Sequence, residues 1–211
     1  PLEFQQGLSL EKYDGLGGCI YMRAVQTLPE SYKEIYSVDL KKDKKIALLI
    51  YSISLIIISF MGVAMHFRVP IYTMFDINDT GNLCFKLFAL LGLLVVYLVL
   101  HELMHGIAMK LCGTKKIEYG FSGICAFAGS NDYYSKKAFF FILSAPVVIW
   151  GIVIAIINSC VPLDWFWVVY IIQINNVSGA AGDLFIIARL STFQKEILVR
   201  DYRLGVTVYS E

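Results

Sequence analysis

The chain has 211 residues, of which 57% are hydrophobic and only 17% are charged, and its formal net charge is +1. This composition is too apolar for an ordinary soluble domain of this length. The sequence therefore predicts a protein of the lipid bilayer.

Four long apolar segments follow one another along the chain, each near the roughly 20 residues needed to cross a hydrocarbon core. They lie at about 46–65, 87–111, 138–157 and 165–187. The first contains no charge, whereas the second and fourth carry polar residues inside them. This pattern predicts an all-α membrane protein with about four transmembrane helices.

Lysine and arginine are distributed unevenly around these segments. Sixteen of the 18 lie before the first segment, between the second and third, or after the fourth. Only Arg68 and Lys86 fall in the other two loops. The positive-inside rule then predicts that both termini and the loop 110–137 are cytoplasmic.

The same pattern divides the chain into three parts. We expect a cytoplasmic N-terminal segment (1–45), a transmembrane domain (46–190) and a cytoplasmic C-terminal tail (191–211). The opening PLEFQQG lacks an initiator methionine, and we interpret it as an expression remnant, with Met22 as a candidate native start.

The second apolar segment runs into the motif HELMHG. Residues four apart lie on one face of a helix, so His101 and His105 can offer two imidazoles to one metal ion. Glu102 can then reach a water at the metal, which makes it the candidate catalytic base. An ionisable group at membrane depth costs about 2.5–3.5 kcal/mol and is retained mostly where it has a partner. The cluster indicates a zinc site; the alternative is a self-satisfied polar cluster.

A catalytic zinc ion usually has three protein ligands, so a third is expected. Asp183, in the fourth segment, lies about 9 Å along the helix from the membrane edge near Arg189, at 1.5 Å per residue. His105 lies at a similar depth in its own helix. His66 is predicted at the outer end of the first segment, whereas HELMHG approaches the cytoplasmic end of the second. This difference in depth argues against His66 as a ligand.

The stretch QINNVSGAAGD precedes this aspartate and is rich in small and amide residues. Asn175 or Asn176 can donate a hydrogen bond to substrate or to an oxyanion, or can join two helices. Gly179 and Gly182 can permit close packing and can loosen the helix.

Residues 115–131, KKIEYGFSGICAFAGSN, alternate apolar and polar positions and then turn at glycine. The alternation predicts a short cytoplasmic hairpin or strand. Its edge could pair with an unwound substrate beside the metal. The alternative is an ordinary loop that contacts lipid headgroups.

HELMHG and NNVSGAAGD resemble the site-2 protease class of intramembrane metalloproteases. More closely, they resemble the bacterial membrane family named "Putative zincin peptidase". The resemblance covers roughly residues 28–208 and includes LSAP at Leu143 to Pro146.

This resemblance implies a three-helix catalytic core near the cytoplasmic face, with zinc bound by His101, His105 and Asp183 and with Glu102 as base. Site-2 proteases usually carry a proline between their asparagine and aspartate and a glycine after the aspartate. Neither is present here, so the form of the helix break and the choice between the two asparagines stay open.

We therefore expect an intramembrane zinc metalloprotease of the bacterial cytoplasmic membrane, with its active site near the cytoplasmic side. It would hydrolyse peptide bonds within or next to transmembrane segments of membrane proteins or peptides. Its expected partners are this substrate and the bilayer, with no nucleic acid, and its oligomeric state is open. The alternative is a non-catalytic metal-binding membrane receptor or adaptor, which a fourth protein ligand would distinguish.

Overall fold

The computed structural model describes residues 24–39, 42–75, 79–122, 125–193, 196–202 and 205–211. Met22, the candidate native start, lies outside these residues. In chain order the elements are β1 (Lys33–Asp39), α1 (Lys44–His66), α2 (Thr80–Leu111), β2 (Glu118–Ser122), β3 (Cys125–Gly129), β4 (Tyr133–Ser135), α3 (Lys136–Cys160), α4 (Phe166–Gly179), α5 (Ala181–Ser191), β5 (Leu198–Tyr202) and β6 (Gly205–Ser210).

Within the described part of the chain, four helical stretches are long and apolar enough to cross a membrane, as the composition predicts. They are Lys44–His66, Thr80–Leu111, Lys136–Cys160 and Leu163–Ser191. The first three have a mean hydropathy of 2.5 to 2.7, and the fourth has 1.3 because polar residues interrupt it. Their outer faces are apolar and exposed, as for Phe60 on α1 and Phe88 on α2. Such faces suit contact with lipid chains.

The fourth stretch is not one continuous helix. It divides at Ala180 into α4 and α5. The break needs no proline: Gly179 and Gly182 flank it, and glycine is a poor helix former. The Ser54 hydroxyl of α1 donates a hydrogen bond to the Ser178 carbonyl next to the break, at 2.8 Å.

The sequence predicted an all-α fold, but the structure also contains an antiparallel sheet, which is formed by segments that flank the helices. Its strand order is β1-β6-β5-β4. Ser37 pairs with Thr207, and Val199 pairs with Val208. Strands β1 and β6 lie far apart in sequence, so no local pattern identifies them as partners, whereas β5 and β6 follow each other directly along the chain. The N-terminal segment and the C-terminal tail therefore meet in one sheet.

The predicted hairpin is confirmed. Strands β2 and β3 pair antiparallel, with Tyr119 opposite Ala128 and Ser122 opposite Cys125. Both strands lie within the segment whose alternation predicted them. Strand β3 packs against α2, which carries the HELMHG motif.

Buried apolar side chains form two clusters at opposite ends of the helices. One joins the four-stranded sheet to α2, α3 and α5, and includes Val38, Met109, Phe139, Leu190 and Val199. The other joins the far ends of α2, α3 and α4, and includes Leu90, Tyr97, Ile154 and Trp167.

Lys86, predicted in a loop, instead lies inside α2 and is 2% exposed. Its ammonium group is 3.1 Å from a carboxylate oxygen of Asp164, which stands just before α4. A buried charge needs such a partner, because leaving it unpaired costs several kcal/mol. The ion pair therefore ties α2 to the start of the fourth stretch.

Replacing Asp164 with Ala should destabilise the protein by about 1–3 kcal/mol, because Lys86 would keep its buried charge without a partner. The free energy of unfolding in detergent measures the effect. The exposed pair of Lys42 and Asp39, at 3.7 Å, provides the control. Lys42→Ala should cost less than about 1 kcal/mol. Equal effects of the two substitutions would contradict a structural role for the buried pair.

Candidate metal centre

Helix α2 presents His101 and His105 on its buried face, one turn apart. The two ring centroids are 5.0 Å apart. Both residues are less than a tenth exposed. The spacing in HELMHG therefore places two imidazoles side by side, as the helical period requires.

Asp183 completes the cluster from the first turn of α5. Its Oδ2 atom is 3.7 Å from His101 Nε2 and 3.5 Å from His105 Nε2. The three ligand atoms lie within 4.8 Å of one another. Because the helix restarts after Ala180, the carboxylate also lies near the amide end of α5, which favours negative charge.

The other imidazole nitrogens are already engaged. His101 Nδ1 is 2.9 Å from the Tyr97 hydroxyl, and His105 Nδ1 is 3.0 Å from the Ile142 carbonyl oxygen. Both Nε2 atoms therefore face Asp183. This arrangement is typical of histidines that bind a metal through one nitrogen and a polar group through the other.

The distances fit zinc. Two ligand atoms about 2.0–2.2 Å from a tetrahedral zinc ion are about 3.3–3.6 Å apart. A direct charge-assisted hydrogen bond would bring nitrogen and oxygen to about 2.7–2.9 Å. The two spacings to Asp183 are therefore long for such bonds and close to those of ligands around one ion. Two imidazoles and one carboxylate are also donors that zinc prefers.

Glu102, the predicted base, lines a cavity of about 330 Å³ with the three candidate ligands. Its carboxylate accepts a hydrogen bond from the Ala128 backbone N–H of β3. The side chain is thus held beside the cluster without belonging to it.

The structure places the two predicted asparagines in different surroundings. Asn175 lines the cavity. Asn176 is fully buried, and its amide bonds to Tyr97 and to the Val147 carbonyl. His66 lies elsewhere, where its Nδ1 accepts a hydrogen bond from the Ile71 N–H. The structure thus brings the three predicted ligands and Glu102 together, while their roles stay predictions.

Sequence reasoning missed two polar residues of this region. The contact of Tyr97 with His101 could have been predicted from the sequence, since Tyr97 lies four residues before His101 on the same helix. The position of Asp201 could not, because β5 reaches the cavity only through the pairing of distant strands. The pKa of Asp201 is raised to about 7, mainly because the carboxyl group is buried; His105 acts to lower this pKa, whereas Asp183 and Glu102 act to raise it.

Comparisons with known proteins agree with this site. The sequence model of a family described as "Putative zincin peptidase" matches residues 94–198. A protein of Pyrococcus woesei, an uncharacterised 24.7 kDa protein from the gap 5′ region, is 30% identical over 113 residues. The match covers 51% of this chain and 49% of that protein, so the chain spans about half the length of this curated relative. No solved structure matches the chain.

The family match indicates a metallopeptidase similar to the zincins. It covers the HELMHG motif and Asp183, which are the residues that the structure brings together. The predicted cofactor, zinc, is confirmed by the family and by the His-His-Asp donor set.

Replacing Asp183 with Ala should weaken zinc binding by more than about 100-fold, because the loss of a group that only supports a ligand already costs about 10–100-fold and the loss of a ligand costs more. Competition with a chelator measures the affinity. Asp201→Ala, which removes another carboxylate from the same cavity, should leave the affinity near that of the unchanged protein. A greater loss with Asp201→Ala than with Asp183→Ala would show that the wrong carboxylate has been assigned as ligand.

Proposed function

We propose that this protein is an intramembrane zinc endopeptidase that hydrolyses peptide bonds within or next to transmembrane segments of membrane proteins or peptides. One observation carries the proposal: the zinc donors lie inside helices apolar enough to span a bilayer. His101 and His105 belong to the stretch Thr80–Leu111, and Asp183 belongs to Leu163–Ser191. A zinc site of a water-soluble peptidase has no need of such surroundings.

The proposed catalytic core consists of three helical stretches, as the resemblance of the motifs to site-2 proteases implies. Helices α2, α3 and α4 pack against one another, and α5 packs on α3. The charge distribution supports an orientation in the bacterial cytoplasmic membrane with both termini and the active site toward the cytoplasm.

His101, His105 and Asp183 would hold the zinc ion, which would supply Lewis acidity for the attack of water on a peptide carbonyl. Glu102 takes a proton from that water and then gives it to the leaving amine. The Ala128 N–H holds the carboxylate at the cavity wall, beside the two histidines. Asn175, which lines the same cavity, is placed to donate a hydrogen bond to the substrate or to the oxyanion.

The backbone amide and carbonyl groups of a helical substrate are engaged in its own hydrogen bonds, so the substrate must unwind before hydrolysis. Strand β3 offers a surface for the unwound chain. The Ala128 N–H points to Glu102, away from β2. In an antiparallel strand, the backbone N–H and carbonyl groups of every second residue point to the same edge. Ala126 therefore directs its N–H and carbonyl to the same edge of β3, which pairs with no other strand among the described residues. A substrate strand could pair there, next to the metal, through backbone hydrogen bonds.

The glycine of HELMHG leaves room for a side chain of this hairpin to approach α2. A Cβ atom on Gly106 would overlap the Tyr119 hydroxyl of β2. The tyrosine therefore lies directly against the α2 backbone, one residue after His105. This contact and the bond from Ala128 to Glu102 attach both strands to the metal helix.

The competing hypothesis is a receptor or adaptor with a structural metal. Structural zinc sites usually have four protein ligands, whereas catalytic sites have three and one position for water or substrate. Among the described residues, the cluster consists of His101, His105 and Asp183. This count favours catalysis.

Glu102→Gln should lower the rate of cleavage by at least about 100-fold while zinc binding persists, because glutamine cannot accept the proton. The assay uses labelled casein, a disordered chain, and a labelled transmembrane peptide in detergent micelles. Glu118→Gln, on the exposed part of β2, is the matched control and should cleave at the original rate. Normal cleavage by a zinc-loaded Glu102→Gln protein would refute the mechanism.

Gly106→Ala should displace the hairpin and lower cleavage by about 10–100-fold, since a shift of about 1 Å in a substrate-positioning group can cost that much. Zinc content should remain normal. Gly92→Ala, on the same helix with no atom near its added methyl group, should cleave normally. The role of the hairpin would be rejected if both variants cleaved at the same rate.

A further inference from the structure

Helix α3 contains a proline at position 146. Proline has no backbone N–H, so the carbonyl four residues earlier, that of Ile142, loses its helical donor. His105 Nδ1 is 3.0 Å from this carbonyl oxygen. Ile142 is fully buried, so water is a poor substitute. The zinc-ligand histidine therefore supplies the hydrogen bond that Pro146 removes.

A second carbonyl of α3, next to the proline, anchors the other histidine through two side chains. Asn176 Nδ2 donates to the Val147 carbonyl oxygen at 3.1 Å. Tyr97 donates to Asn176 Oδ1 at 2.7 Å, and its oxygen is 2.9 Å from His101 Nδ1. A Cβ atom on Gly151 would lie 3.3 Å from Asn176 Nδ2, so a glycine there leaves room for the amide to approach the helix.

The last acceptor in this series of hydrogen bonds is a backbone carbonyl, and it fixes the direction of every hydrogen bond in the series. A carbonyl only accepts, so the Asn176 NH₂ group must face Val147 and its oxygen must face Tyr97. Tyr97 has one hydroxyl proton and gives it to Asn176. Its oxygen then accepts from His101 Nδ1–H. The Nε2 lone pair of His101 is thereby left for the metal.

His105 reaches the same state by a shorter route. The Ile142 carbonyl accepts from Nδ1–H, which leaves the Nε2 lone pair directed at Asp183. Both imidazoles are thus held in one tautomer by two carbonyls of α3, which lie on either side of Pro146 in the sequence.

We propose that Pro146, Tyr97 and Asn176 are positioning residues of the zinc site, which fix the tautomer and orientation of both histidines through the carbonyls of Ile142 and Val147. The inference deepens the proposed function but rests on the zinc site alone. It also assigns Asn176 to support of a ligand and leaves Asn175 as the asparagine that faces the substrate.

The test measures zinc affinity in detergent by competition with a chelator, together with the thermal stability of the zinc-free protein. Tyr97→Phe keeps the ring and removes the hydroxyl, and Pro146→Ala restores an N–H that competes for the Ile142 carbonyl. Each should weaken zinc binding by about 10–100-fold, as losses of outer-shell partners do. A purely structural proline would behave differently, since alanine is the better helix former and would leave zinc binding unchanged.

Tyr170→Phe is the matched control. Its hydroxyl donates to the Met61 carbonyl of another helix at 3.4 Å, so this variant loses an interhelical hydrogen bond away from the metal. Zinc affinity should not change. Wild-type affinity in Tyr97→Phe, or an equal loss in Tyr170→Phe, would overturn the proposal, and the tyrosine pair decides it even if Pro146→Ala fails to fold. Because cleavage is not measured, failure of the peptidase hypothesis would not affect the outcome.

Discussion

Helix α2 carries two imidazoles and a carboxylate at the end of a long apolar run, where each ionisable group is costly. A shared cation is the simplest partner for such a group, and much of the architecture brings donors to it. The break at Ala180 starts a new helix whose first turn holds Asp183. Helix α3, through Pro146, provides carbonyls that orient the histidines. The metal site therefore depends on irregularities in two helices as much as on the HELMHG motif.

The β strands close the site from the side on which the helices leave it open. Strand β3 supplies Ala128 to Glu102, and the four-stranded sheet contributes Val38, Asp201 and Val206 to the cavity wall. Segments that precede the first helix and follow the last thus meet at the same cavity. A site with zinc donors on spanning helices and a free strand edge beside them suits a substrate that must leave its helix before it is hydrolysed.

The sequence revealed those features that local patterns determine. Hydropathy located four spans, the four-residue spacing placed His101 beside His105, and alternation predicted the β2–β3 hairpin. Asp183 was found by matching depths, which works because both helices have the same rise per residue. Strand β1 pairs with β6 about 170 residues away, and β4 pairs with β5 about 65 residues away. No local pattern specifies either pairing, and the sheet that they form brings Asp201 to the cavity. The role of Pro146 is equally hidden, since a proline reveals a freed carbonyl but not the side chain that binds it.

The most direct test of this account is a crystal structure of the zinc-loaded protein with an anomalous map at the zinc edge. We expect a peak bounded by His101 Nε2, His105 Nε2 and a carboxylate oxygen of Asp183, with water at the fourth position and Glu102 within hydrogen-bond distance of that water. A zinc ion held by four protein side chains, or located away from HELMHG, would contradict a catalytic intramembrane site.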